Sequence, residues 1–219
     1  MIKTADLFDL THTLAKDYLS EFEYPWQALS DIKKMIIELT KTLDKSEYNQ
    51  ISDYIWVHKT AVISPSAYIG SPCIIGAKSE IRHCAFIRGS ALIGENCVVG
   101  NSVELKNVIL FDNVQTPHYN YVGDSILGYK SHMGAGSITS NVKSDKSPVS
   151  IKNEKIIIET KLKKCGAFIG DYVEIGCNSV LNPGTIIGRN SNVYPLSSVR
   201  GIVESNCILK NNGIIVNKK

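Results

Sequence analysis

The residues best suited to chemistry lie between positions 88 and 141. His118 sits in the run Pro117-His118-Tyr119-Asn120-Tyr121. An imidazole titrates near about 6.5, so it can accept a proton at neutral pH and give it back. Tyr121 places a phenol three residues further on. Arg88 and Lys106 supply cations where a repeating turn would ordinarily carry a small residue, and Arg can hold a phosphate through paired donors. The stretch Gly134-Ala135-Gly136-Ser137-Ile138-Thr139-Ser140-Asn141 is small enough for a ligand to reach the backbone. Its N–H groups can hold a carbonyl or an oxyanion. A proton acceptor, an anion grip and an oxyanion cradle are thus present in one segment.

What must position them is a repeat. Val57, Ile63, Ile69, Ile75, Ile81, Ile87, Ile93, Val99 and Leu105 follow one another at intervals of six. That period fits neither a helix nor an amphipathic strand. Small residues such as Ala61, Ala67, Cys73 and Ser79 stand two places earlier, and Gly70, Gly76, Gly94 and Gly100 follow directly. A large inward aliphatic, a small corner and a permissive turn describe one flat face of a parallel β-helix. Two five-residue steps, Leu105 to Leu110 and Val122 to Leu127, interrupt the sixes, which resume from Ile169 to Val199. Three faces make one coil. The expected fold is therefore all-β, a parallel β-helix of about seven coils, quasi-one-dimensional and needing capped ends.

Residues 1–50 lack the period. Thr4 can cap a helix with Leu7, Leu10, Leu14 and Tyr18 on one side, and Ser30 a second with Ile32, Met35, Ile36, Leu39 and Leu43. A small N-terminal α-helical cap over the open first coil is expected. The β-helix is assigned to 51–204, with a protruding hairpin insertion at 142–164 and a C-terminal tail at 205–219. Lys143, Lys146, Lys152, Lys155, Lys161, Lys163 and Lys164 make the insertion basic, which suits a flap over a phosphorylated ligand or a contact with a neighbouring subunit.

A net charge of +3 gives no argument for nucleic acid, and no apolar run is long enough to span a membrane. The N-terminus shows no signal pattern, so a cytoplasmic location is expected. Cys73 and Cys97 fall on inward corners, and the six cysteines are expected as free thiols.

The order Arg88, Val103-Glu104-Leu105-Lys106, the run from Pro117 to Ser125, the run from Gly134 to Asn141 and Ile169–Gly176 resembles a known domain. It is the acetyltransferase domain of the bifunctional N-acetylglucosamine-1-phosphate uridyltransferase/glucosamine-1-phosphate acetyltransferase. It looks closer still to archaeal bifunctional sugar-1-phosphate nucleotidylyltransferases and to stand-alone proteins labelled UDP-N-acetylglucosamine pyrophosphorylase. The resemblance covers roughly 60–200 and implies a left-handed helix, which the period alone does not give. It implies His118 as catalytic base, and Arg88, Lys106, Tyr121 and Asn141 as sugar-phosphate ligands, with Lys146 an approximate match to a further lysine. Ala135, Cys177 and Pro195 fall at acetyl-CoA-contacting positions, although Cys177 replaces a usual Ser and Pro195 a usual Ala. An Asn of the family falls at His132, and Val142-Lys143-Ser144 replaces its Tyr-Asp-Gly.

The implied activity is acetyl-CoA-dependent N-acetyl transfer to an amino-sugar 1-phosphate or related nucleotide sugar, in a homotrimer with sites between subunits and no metal. No uridyltransferase activity is expected of this chain on its own, since residues 1–50 hold no Gly-rich nucleotide loop. Two other readings remain. One is a trimeric platform that binds sugar phosphate without catalysis. The other is a metal enzyme like the γ-class carbonic anhydrases, using His83 and His118. That family's third His is missing, since Val122 and Gly123 stand there and His132 is a poor substitute.

Overall fold

The computed structural model describes residues 2–152 and 157–218. Short parallel strands wind into a β-solenoid of about eight turns, each turn presenting three faces. The inward residues of the sixes, among them Ile75, Ile81, Ile87, Ile93, Val99 and Leu105, are almost fully buried and stack in columns along the axis. Pairing is in register from coil to coil: Ile63 opposes Ile81, Ile69 opposes Ile87, and Ile75 opposes Ile93. Because strands of adjacent coils lie about 4.8 Å apart, each side chain rests on its counterpart one coil away.

The corners recur as regularly as the core. Lys78, Cys84, Ser90, Asn96 and Ser102 all have φ between +51° and +58°, each three residues before an inward aliphatic. A left-handed backbone there costs a non-glycine residue about 1–2 kcal/mol. The turn's N–H groups are satisfied by carbonyls of adjacent coils, as when Asn96 donates to Ala77 and Asn113 to Glu95. The two five-residue steps have a structural cause. Glu104–Leu110 and Tyr121–Leu127 are single seven-residue strands that run through a corner, joining the third face of one coil to the first face of the next. Asn107 and Asp124 are their left-handed corner residues.

The first face is apolar outside as well as inside. Ile74, Leu92, Ile109, Ile126, Phe168 and Ile186 form its outward column, and each is fully buried. The N-terminal segment covers them. It consists of α1 (Thr4–Leu7), a 3₁₀ turn at Leu10–His12, α2 (Lys16–Ser20), a second 3₁₀ segment at Pro25–Asp31 and α3 (Ile32–Thr42). The segment therefore lies along a flank, not over the open first coil as the sequence suggested. The physical reason is that column of outward aliphatics, a larger apolar surface than a coil end. Phe8 meets Phe111 at 5.1 Å and Trp26 meets Phe168 at 6.3 Å between ring centroids. Backbone bonds fix the placement: Asp112 N–H donates to His12 O and Asp171 N–H to Leu7 O. The helix expected from Thr4 is broken at Phe8, and Leu14 faces solvent. Asp31, not Ser30, precedes α3, and it makes no side-chain cap.

Both ends of the solenoid are closed by antiparallel strands, Tyr48–Ser52 on Ile55–His58 and Ile215–Asn217 on Cys207–Leu209. Such pairing covers edges that would otherwise recruit another chain. The residues beyond 204 are thus a further piece of coil and its closing strand, not a polar tail. The insertion leaves the prism at Asn141 and returns at Cys165, whose N–H donates to Asn141 O. Ser150–Lys152 and Ile157–Glu159 pair as a hairpin; the rest of it, 153–156 with Lys155, lies outside the described residues. Val149 and Ile151 are buried, and they pack over Gly184. The hairpin therefore leans towards the C-terminal coils and lies away from Arg88 and Lys106.

Trp26→Ala should lower stability by about 3 kcal/mol, since a buried indole is removed from the contact between flank and prism. Thermal unfolding followed by circular dichroism measures it.

Candidate functional site

Seven of the sequence-selected residues fall on two corners that bound the third face, and Tyr121 lies on the face between them. At the corner between second and third faces, successive coils place Asn101, His118, Ala135, Cys177 and Pro195 in one column. The ladder is explicit in the backbone. Tyr119 N–H donates to Asn101 O (2.9 Å), Gly136 to His118 (3.0 Å), Asn178 to Ala135 (2.8 Å) and Leu196 to Cys177 (2.9 Å). The coils approach so closely here that a Cβ on Gly100 would lie 1.6 Å from Pro117 O. His118 ends the strand Gln115–His118 and is exposed; among the described residues no hydrogen bond reaches its ring. Its free ring nitrogens are open to a substrate.

Across the face, Arg88, Lys106 and Asn141 occupy the corner between third and first faces. Arg88 donates to Glu104 at 2.9 Å. Lys106 donates to both oxygens of Asp124, at 2.9 and 3.1 Å. Asp124 is the member of this cluster that sequence reasoning missed. It is only 4% exposed, and it also accepts from the Asn107 and Asn141 amides. Its position in the run after Tyr121, at the shortened step, was the available signal. Asn107 in turn donates to Leu29 O, so this cluster is tied to the N-terminal segment.

Tyr121 bridges the two corners. It stands on the third face opposite Glu104, and Asn141 donates to its hydroxyl at 3.1 Å. Gly123 makes this possible, because a Cβ there would sit 2.4 Å from the Tyr121 hydroxyl. Burial pushes the phenol pKa up, and the Asp124 and Glu104 carboxylates add to the effect. The hydroxyl therefore stays protonated and, with its oxygen engaged by Asn141, has its hydrogen free to donate. Lys106 has three N–H donors and spends two on Asp124, leaving one. The donors facing outward are thus the Arg88 guanidinium, one Lys106 N–H and the Tyr121 hydroxyl, a set suited to anionic oxygens.

Lys146 does not join them. It is exposed on a turn of the insertion, its N–H donating to Lys143 O, with no ion pair among the described residues. His83 lies on the His118 corner two coils away, with Asn101 between: Asn101 donates to His83 O. Among the described residues no three His, Cys, Asp or Glu side chains gather as a metal centre. His132 lies on the second face, paired with Glu174 at 2.7 Å.

All six cysteines are free. Burial pushes the thiols of Cys73, Cys97 and Cys165 up to about 12, whereas Cys84 and Cys177 are exposed on the His118 corner.

Stacked parallel hexapeptide turns define a left-handed β-helix of the hexapeptide-repeat class, and residues 166–201 match the family described as bacterial transferase hexapeptide (six repeats). Residues 79–163 match the GMPPB C-terminal domain. The chain is 32% identical over 211 residues to the bifunctional protein GlmU of Methanococcus maripaludis strain S2, an alignment covering 93% of this chain and 50% of that protein. It is 30% identical over 204 residues to the bifunctional sugar-1-phosphate nucleotidylyltransferase/acetyltransferase of Sulfurisphaera tokodaii, covering 87% and 51%. Together these matches indicate a GlmU acetyltransferase-like domain. The chain spans about half the length of these curated relatives. Among solved structures, the polySia-specific acetyltransferase NeuO superposes with a TM-score of 0.48 at 16% identity, covering 74% of this chain and 82% of that one.

Asp124→Ala would leave the Lys106 ammonium and two amides without their acceptor. Breaking a buried pair costs about 3–5 kcal/mol, and the partial exposure of Lys106 reduces this to about 2–3 kcal/mol. Urea unfolding gives the difference directly.

Proposed function

We propose that this chain is an acetyl-CoA-dependent N-acetyltransferase acting on an amino-sugar phosphate. The observation that carries the reading is the column of His118, Ala135, Cys177 and Pro195 along one corner, facing an anion-binding corner across Tyr121. The relatives named as acetyltransferases point the same way.

In this reading the coenzyme lies along the His118 column with its thioester near the 134–136 backbone. The acceptor lies on the third face, its phosphate towards Arg88, Lys106 and Tyr121. His118 takes a proton from the acceptor amine as the nitrogen attacks the thioester carbonyl. A C–N bond forms, and backbone N–H groups hold the oxyanion. The C–S bond then breaks, and the proton on His118 passes to the leaving sulfur. Cyclic assembly of flat-sided prisms into a trimer would bring a neighbour against each exposed corner and enclose the site.

Thiol release from acetyl-CoA, measured over a panel of amino-sugar phosphates, tests the reaction. Turnover should occur with one acceptor, and His118→Ala should reduce it by about 10²–10⁴-fold. Binding of sugar phosphate with no turnover on any acceptor would favour the non-catalytic platform instead. The placement of the coenzyme has its own test. An aromatic disulfide reagent should label Cys84 and Cys177 rapidly in the native protein, and coenzyme A should protect Cys177 while leaving Cys84 reactive. Equal labelling with and without coenzyme would refute that placement.

A further inference from the structure

We propose that Asn120 is a positioning residue that fixes the His118 backbone against the 134–137 turn; this rests on the reading of His118 as the base. Asn120 is 2% exposed. Its Oδ1 accepts the His118 N–H at 3.2 Å. Its Nδ2 donates to Gly134 O at 2.8 Å, and to Ser137 O and Ser137 Oγ at 3.1 Å each. These partners settle the orientation of the amide, since only oxygen can face an N–H and only NH₂ can face two carbonyls. On the other side of the peptide, His118 O accepts from Gly136 N–H. Both backbone polar groups of His118 are therefore pinned, one through Asn120 and one directly, to the same turn.

The residue is out of place by the rules of the repeat. Asn120 occupies the inward corner position two residues before an inward aliphatic. The same corner column holds Ala67, Ala85 and Val103 in earlier coils, and Ser137, Ser179 and Ser197 in later ones. Those serines satisfy themselves with one carbonyl each, as Ser137 does with Gly134 O and Ser197 with Tyr194 O. A carboxamide is bulkier and costs more to bury, and the fold asks for a small residue there. It occurs in the coil that carries His118. There it links the loop of the base to the turn that contains Ala135, so the two move as one unit. His118 follows this fixed backbone, and the left-handed Tyr119 (φ +53°) leaves little slack between them.

The experiment compares wild type, Asn120→Ala and the milder Asn120→Ser by ring ¹⁵N NMR of the five histidines across pH, with His118→Ala identifying the His118 signals. Both Asn120 variants should shift the His118 ring resonances while those of His83 and His132 stay in place. Thiol release should lose about 10²-fold in kcat, with the acceptor KM changed by less than about twofold. A folded Asn120→Ser protein with wild-type His118 signals would overturn the proposal, and so would a loss of stability alone. If wild type itself releases no thiol, the acetyltransferase reading fails. The His118 spectra then still decide the role of Asn120.

Discussion

Register is the constraint on which everything else in this molecule rests. Each coil pairs in parallel with the next, with no slip between Ile63 and Ile81 or between Ile75 and Ile93. A spacing of about eighteen residues along the chain thereby becomes a column in space. A one-residue slip would turn every inward aliphatic outward, so the core itself enforces the alignment. The same alignment builds the buried ladder, the apolar flank and the row of His118, Ala135, Cys177 and Pro195. Among the described residues no side-chain hydrogen bond joins the members of that row. They are neighbours because the core holds their backbones in line.

The shortened steps show how the prism makes room for polar groups. Where a seven-residue strand runs through the corner, its left-handed residue is Asn107 in one coil and Asp124 in the next. Asp124 there gathers Lys106, Asn107 and Asn141 on one buried carboxylate. This pairing settles which cation is fixed and which is exchangeable. The Arg88–Glu104 pair is exposed and screened by solvent, so an incoming anion can replace Glu104 at small cost. Lys106 stays on Asp124 and offers its remaining N–H. The corner thus offers one rigid donor and one adaptable donor.

Much of this was legible in the sequence, for physical reasons that can be named. The sixes marked the faces because the inward positions are mostly aliphatic, with Thr116 and Thr139 as buried polar exceptions, and the fives at Leu110 and Leu127 marked the altered corner. The corner residues themselves were misread. The turn was sought after the aliphatic, at Gly70 or Gly94, whereas the left-handed residue lies three before it, as at Lys78 and Asn96. Those positions share a backbone conformation and no side-chain chemistry, so composition hides them. The flank was legible but overlooked. Triplets such as Cys73-Ile74-Ile75 and Ala167-Phe168-Ile169 are apolar on both sides of the strand, the mark of a face buried twice. That pattern shows where the N-terminal segment must lie. Asp124 escaped because its role comes from three partners that are close only after coiling.

The flank bears on the chemistry as well as on stability. With the first face covered and the third face carrying Tyr121 between two polar corners, the prism presents its functional groups in one direction. Leu29, within that cover, accepts from Asn107, which donates to the carboxylate that holds Lys106. The N-terminal segment is thus three hydrogen bonds from the Lys106 ammonium. Among the described residues it makes no such link to the His118 corner, where Asn120 and the 134–137 turn hold the His118 backbone from within the coils. The two halves of the site therefore depend on different supports. Damage to the cover acts first on the Asp124–Lys106 cluster, whereas damage to the buried Asn120 amide acts first on the His118 backbone.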